Sequence, residues 1–286
     1  MRKASILFFG FLLTLSLSVS PSDKGYLFII GGGDRPEGMM KKFVELAGMF
    51  RSGKIVVFPM ASSVPKETGP AQISELKKAG AKKVEYRVLT RAQALKPENA
   101  KILDDAGGVF FPGGVQSRLV NILLGTPLHK KLLQMYEEGC VIGGTSAGAA
   151  VMSEVMITGD EKRKTEEGHD FETIEAGNVV TSQGLGFIKT AIVDQHFATR
   201  KRHNRLISLV AENPQLLGLG IDESTALIVR PNQTLEVVGQ KNVIVYDVSH
   251  AKIKILPSRQ VSFSKMIVHV LISGDKFDLR AREVVE

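Results

Sequence analysis

Residues 140–153 read CVIGGTSAGAAVMS. Val141-Ile142 turns through Gly143-Gly144 into Thr145-Ser146, and Ala147, Gly148, Ala149 and Ala150 follow. Gly144 to Gly148 fits G-x-S-x-G, the pattern that places a serine on a sharp strand-to-helix turn. Such a turn needs neighbours without bulk, so that strand and helix approach while the hydroxyl stays exposed. The helix that follows is expected to aim free N–H groups and its positive dipole end at an oxyanion formed there. Packing alone is the competing explanation, because small residues also let a helix cross close to a strand. The nucleophile is the reading favoured here.

Upstream of this stretch, apolar runs alternate with helical patterns. Tyr26 to Ile30 ends in Gly31-Gly32-Gly33-Asp34, a buried strand with a glycine loop at its carboxyl end. It is not a dinucleotide fingerprint, since Pro36 stands where the last glycine would be. Met39, Met40, Phe43, Val44, Ala47 and Phe50 recur at helical spacing, and Ser52-Gly53 is expected to end that helix. Strands are predicted at 55–60 and 84–89, with a helix between them that stops at Gly80. Val109-Phe110-Phe111 then runs into Pro112-Gly113-Gly114, and helices follow from Leu119 and over 127–138. This alternation predicts an α/β fold with a mainly parallel sheet covered on both faces. Active sites of such sheets lie at the carboxyl ends of the strands, where the three glycine loops fall.

Downstream, Asp160 to Glu175 is highly charged and weakly periodic, and it is read as an exposed, mobile loop. Ala191-Ile192-Val193 ends in Asp194-Gln195-His196-Phe197, and a helix is expected from His203 to Ala211. Leu217 to Ile221 leads into Asp222-Glu223, and the part from about residue 231 to 286 alternates as β-structure. No linker divides residues 25–286, so they are read as one domain with a β-rich C-terminal extension.

Residues 1–20 stand apart. Arg2 and Lys3 precede an apolar run from Ala4 to Val19, the n- and h-regions of a secretory signal peptide. Export to the periplasm or the medium is expected, with no stable membrane association after cleavage; an uncleaved anchor is the alternative. No cysteine lies near the end of the run to accept a lipid, and the single Cys140 excludes an internal disulfide. The net charge of +7 suits an acidic ligand, a nucleic acid or an anionic surface without choosing among them.

A serine nucleophile needs a base, and the base needs an orienting acid. Among six histidines, His196 ends an apolar strand and so lies on the functional edge. His129, His169, His250 and His269 have no motif around them, and His203 is read as structural. Glu223 ends another strand-like run. The order Ser146, His196, Glu223 differs from the serine, acid, histidine order of α/β-hydrolases.

Together, FPGGVQSRL, GGTSAGAAVMS, DQHFATRKRHNRL and GIDESTAL closely resemble the cyanophycinases, serine peptidases of the family that also contains peptidase E. The resemblance runs from about Tyr26 to Asp247. It implies a class I glutamine amidotransferase-like fold, a flavodoxin-like sandwich, with Ser146 as nucleophile, His196 as base and Glu223 as acid. Glu172, in the charged loop, is a rival acid. The implied oxyanion hole uses the Ala147 N–H and one from the Gly113-Gly114 turn, with Gly114 preferred. Gln116, Asp194, Gln195, Arg200, Arg202 and Arg205 are the implied substrate-binding residues. The implied substrate is cyanophycin, a polyaspartate bearing arginine in isopeptide linkage, or a related β-aspartyl peptide, and the products are β-aspartyl-arginine dipeptides. A peptidase E-like hydrolase of aspartyl dipeptides and a non-catalytic paralogue that binds acidic peptides are the alternatives. No cofactor, metal or nucleic acid is expected: metal-ligand spacings are missing, and no aromatic platform accompanies the basic turn. A homodimer is possible.

Overall fold

The computed structural model describes residues 25–163 and 170–286; the expected leader at 1–20 lies outside the described residues. In chain order come β1 (Tyr26–Ile30), α1 (Glu37–Gly48), β2 (Lys54–Val57), α2 (Pro65–Lys78), β3 (Val84–Tyr86) and α3 (Arg91–Ala94). Then follow β4 (Ala106–Phe111), α4 (Gln116–Leu123), α5 (Pro127–Glu137), β5 (Val141–Thr145) and α6 (Ala147–Ala150). A hairpin of β6 (Val155–Glu161) and β7 (Val179–Gln183) precedes β8 (Ala191–Gln195), α7 (His203–Glu212), β9 (Leu217–Ile221) and β10 (Thr225–Val229). The remainder is β11 (Thr234–Gly239), β12 (Val243–Asp247), β13 (Lys252–Ile255), β14 (Val261–Ser264), β15 (Ile267–Leu271), β16 (Lys276–Asp278) and β17 (Glu283–Val285).

The fold is mixed α/β, built on a nine-stranded sheet in the order β17-β16-β11-β10-β1-β5-β4-β2-β3. The five strands from β1 to β3 in this order are parallel, as the alternation predicts; β10, β11, β16 and β17 extend the sheet antiparallel. Where one sheet was expected, the structure adds a second of four strands, β15-β12-β9-β8, in which β8 and β9 are parallel. The C-terminal strands are threaded into both sheets: β11, β16 and β17 into the first, β12 and β15 into the second.

Side chains of successive strand residues point to opposite faces, and here both faces are buried. Leu27 and Ile29 of β1 join Val56, Val109, Phe111 and Ile142 in one core, while Phe28 and Ile30 join Ile55, Val57, Phe110 and Val141 in the other. The second core is closed by Met40, Phe43 and Ala47 of α1, with Phe43 edge-on to Phe28 and Phe110 at 5.6 and 5.2 Å. The first core continues beneath α4–α6 into Val193, Leu219, Ile221 and Val245, so the two sheets share it. Each such buried Leu, Ile, Val or Phe contributes about 1.5–3 kcal/mol. The outer face of the second sheet, through Ile192 and Tyr246, is covered by Leu206, Leu209 and Val210 of α7.

Several boundaries differ from the sequence reading: the strands expected at 55–60 and 84–89 end at Val57 and Tyr86, where their pairing with neighbouring strands stops. Helix α1 stops at Gly48, because Met49 is 67% exposed and offers the core nothing to continue for. Strand β6 runs on to Glu161, into the span read as loop, because its pairing with β7 resumes there at Val179.

Candidate active site

Ser146 joins β5 to α6 with φ 54° and ψ −114°, a conformation that costs a non-glycine residue about 1–3 kcal/mol and persists only where packing imposes it. The small residues around it are what the packing requires. A Cβ on Gly148 would stand 1.9 Å from the Phe111 carbonyl oxygen of β4, and one on Gly144 would stand 2.4 Å from the Gly148 carbonyl oxygen. Strand and helix are therefore in backbone contact. In one respect the expectation is corrected: α6 has only four residues, so its dipole is small and the local N–H groups must stabilise charge. The N–H of Ala147, first in that helix, has no intrahelical acceptor. The Gly113-Gly114 loop passes beside Ser146, its Gly113 Cβ position lying 3.7 Å from Ser146 Oγ. It is anchored by the Val115 N–H on the Ala61 carbonyl at 2.8 Å.

His196 and Glu223 follow the ends of β8 and β9, neighbours in the second sheet, while Ser146 ends a strand of the first. The site thus forms where the two sheets meet. Ser146 Oγ lies 2.9 Å from His196 Nε2, and His196 Nδ1 lies 2.6 Å from Glu223 Oε1. A carboxylate only accepts, so the network assigns the proton to Nδ1, leaving Nε2 to accept from the serine hydroxyl. The rival Glu172 lies elsewhere, on a pocket beside α7 with Leu256 and Gln260, and its carbonyl accepts from Asn204 at 2.8 Å.

The sequence reading saw the Gly31–Gly33 loop as a strand end and did not see that it holds the site together. Three successive carbonyls from the last residue of β1 onward take one N–H each: Ile30 from Ser146 (3.1 Å), Gly31 from His196 (2.7 Å) and Gly32 from Ser224 (2.8 Å). The imidazole sits on this loop so closely that a Cβ on Gly32 (φ 110°) would fall 2.3–2.8 Å from three ring atoms. The triple glycine was the available signal. Asp222 was also missed. Burial would raise its pKa, but the N–H donors of Thr199 and Glu223 and the nearby Lys241 hold it below the usual carboxylate range. Its Oδ1 accepts from the Thr199 N–H at 3.0 Å, pinning the turn that follows His196.

Burial lowers the pKa of His196 below its ordinary value; Glu223 opposes this through its hydrogen bond, and Arg200 and Arg202 add to it. The imidazole is therefore neutral near pH 7, the form a general base requires. His129, by contrast, is a buried structural residue whose Nε2 meets the Leu185 carbonyl at 2.9 Å.

The residues implied for substrate binding divide. Asp194 and Arg205 are 1% and 3% exposed and form a two-bond ion pair, so their charges are spent on each other. Arg205 also lies 5.1 Å from the centre of the Phe171 ring. Gln116 donates its amide to the Ile157 and Thr158 carbonyls of β6, at 2.9 and 2.8 Å. Arg202 donates to the Gln195 carbonyl at 2.8 Å, and burial among cations brings its pKa down to about 10. Arg200 is exposed. Both arginines precede α7, which begins at His203, and both line a cavity of about 250 Å³ with Gly159, Asp170 and Phe171. The buried side-chain oxygen of Gln195 has no hydrogen-bond partner among the described residues.

The profile of Peptidase family S51 matches residues 27–237. Cyanophycinase from Nostoc sp. is 33% identical over 281 residues, covering 95% of this chain and 91% of its own. That from Trichormus variabilis is 34% identical over 281 residues with the same coverage, and that from Geminocystis herdmanii is 31% identical over 268, covering 90% and 94%. Among solved structures, a peptidase from an acI-B1 Actinobacterium superposes with a TM-score of 0.64 at 22% identity, over 89% of this chain and 97% of that one, a likeness of fold.

Proposed function

The chain belongs to peptidase family S51 and is a serine-type peptidase, and from this premise we propose that it is an exported cyanophycinase-like exopeptidase working through an acyl-enzyme on Ser146. The observation that carries the reading is the continuous hydrogen-bonded chain from Ser146 Oγ through His196 to Glu223. In the first step Ser146 Oγ attacks the scissile carbonyl carbon while its proton passes to His196 Nε2. Glu223 stabilises the imidazolium that forms. The Ala147 and Gly114 N–H groups are assigned to the oxyanion. Collapse of the tetrahedral intermediate breaks the C–N bond, and the amine leaves with the proton from Nε2. Water then gives a proton to Nε2 and attacks the ester, and Ser146 Oγ departs with that proton.

Specificity is assigned to the rim. Arg200 and Arg202 offer charge-assisted bonds to a free aspartyl carboxylate. The test is mass spectrometry of products from purified cyanophycin. Release of β-aspartyl-arginine by the wild type and none by Ser146→Ala supports the proposal. Cleavage of small aspartyl dipeptides with an intact polymer would replace it by the peptidase E-like alternative.

A further inference from the structure

Three residues at the site carry a side chain at positive φ: Ser146 (54°), His196 (49°) and Ser224 (54°), the residue after Glu223. Such a conformation survives only where the surroundings impose it. From one side the carbonyls of Ile30, Gly31 and Gly32 hold the N–H of each. From the other, the turns of His196 and Glu223 meet residues 240–242, by which the chain leaves β11 in the nine-stranded sheet and enters β12 in the four-stranded one. This crossover lies so close to the acid's turn that a Cβ on Gly239 (φ 127°) would stand 2.3 Å from the Ser224 carbonyl oxygen. The Gln240 N–H donates to that carbonyl at 3.0 Å, and the Asp222 N–H donates to the Asn242 carbonyl at 3.3 Å. The Lys241 N–H donates to Thr225 Oγ1 at 2.9 Å.

One side chain of the crossover reaches both turns. Lys241 Nζ donates to Thr199 Oγ1 at 2.8 Å, in the turn that follows His196, and lies 3.5 Å from Asp222 Oδ2, beside Glu223. The Thr199 hydroxyl bonds in turn to the Asp222 carboxylate, and as a carboxylate only accepts, the hydroxyl donates there. We infer that Lys241 is a positioning residue: it ties the turn of the base to the turn of the acid and so fixes the alignment of His196 with Glu223. The inference rests on reading Ser146, His196 and Glu223 as the catalytic groups. Among the described residues, the Lys241 ammonium meets Thr199 and Asp222 and none of the three catalytic side chains. Its side chain is 42% exposed, so the ion pair adds little to stability. What it supplies is geometry, because groups that orient a catalytic side chain must themselves be held by hydrogen-bonded neighbours.

The rate at which a fluorophosphonate labels Ser146 tests this without a choice of peptide substrate, since labelling, like acylation, needs the base and acid in place. Lys241→Met keeps the aliphatic stem and removes the ammonium. Its maximal labelling rate should fall roughly tenfold, less than the roughly hundredfold loss from an ångström of misplacement. The half-saturating concentration and the denaturant midpoint should stay as in wild type. Lys241→Arg should restore most of the rate, because a guanidinium can donate to the same two oxygens. Thr199→Val should slow labelling to a similar degree. The double variant should be no slower than the slower single one, because the same connection is lost either way. Lys241→Met labelled at the wild-type rate overturns the inference. So do losses that multiply in the double variant, or a loss that comes with a lowered midpoint and is not rescued by arginine. A wild type labelled no faster than Ser146→Ala overturns the serine reading itself, and this inference with it.

Discussion

At the scale of single residues, the proposed chemistry rests on three side chains, and their substitutions should separate. Ser146→Ala should abolish peptide hydrolysis with the fold retained, since only a hydroxyl at a preformed turn is lost; equal turnover in both proteins would refute the serine mechanism. Glu223→Gln should lower kcat by orders of magnitude because the tautomer and orientation of His196 depend on that carboxylate, whereas Glu172→Gln should be mild. Reversed severities would move the acid to Glu172. The pH profile follows from the lowered pKa of His196. The neutral imidazole is the active form, so the acidic limb of kcat/KM should fall below 6.5, the ordinary value. Arg200 favours the neutral ring, so Arg200→Ala should move that limb to higher pH. An unmoved limb would detach the basic turn from the base. The same variant should cost about 1.5–3 kcal/mol in transition-state binding for substrates with a free aspartyl carboxylate and less for their amides. Cys140 is fully buried, and burial pushes its thiol up.

At the scale of elements, what matters is how loops from two sheets are held in one register. The end of β1 and its glycine loop do this through three consecutive carbonyls. Gly32→Ala forces a methyl into the imidazole and strains a φ of 110°, so kcat should fall roughly a hundredfold, the scale of an ångström-sized misplacement. Denaturant unfolding should change far less than turnover; a global collapse instead would mean that the loop serves the fold before the site. The Asp194–Arg205 pair holds α7 to the end of β8. Breaking it with Arg205→Ala leaves a buried carboxylate without its cation and should cost about 3–5 kcal/mol in unfolding free energy. A change under 1 kcal/mol would show that the carboxylate is protonated or rehydrated there. Neither feature was recognisable in advance. The triple glycine at 31–33 signalled a tight loop, but nothing in it said which side chain would lie on it.

At the scale of the whole molecule, the proposed export and the fold are separate questions. Protein recovered from the export compartment should by intact mass lack roughly the first 18–24 residues, the length of a signal peptide; a full-length membrane-bound species would indicate an anchor. The amino-acid sequence alone determined the strand–helix alternation from residue 26, the serine at the elbow, and the order of Ser146, His196 and Glu223. Each is a local matter: periodicity sets burial within a strand or helix, and glycine spacing sets a turn. Only the tertiary structure decided the rest. It placed the base and acid on a second sheet and gave the hydrogen bond of His196 to Glu223 over Glu172. It also turned Arg205 inward to Asp194 while leaving Arg200 exposed. The reason is physical. The partners in these contacts lie 11 to 50 residues apart, and what brings them together is the apolar core shared by the two sheets. No local propensity encodes which charge meets which, because that choice falls to the packing of distant strands.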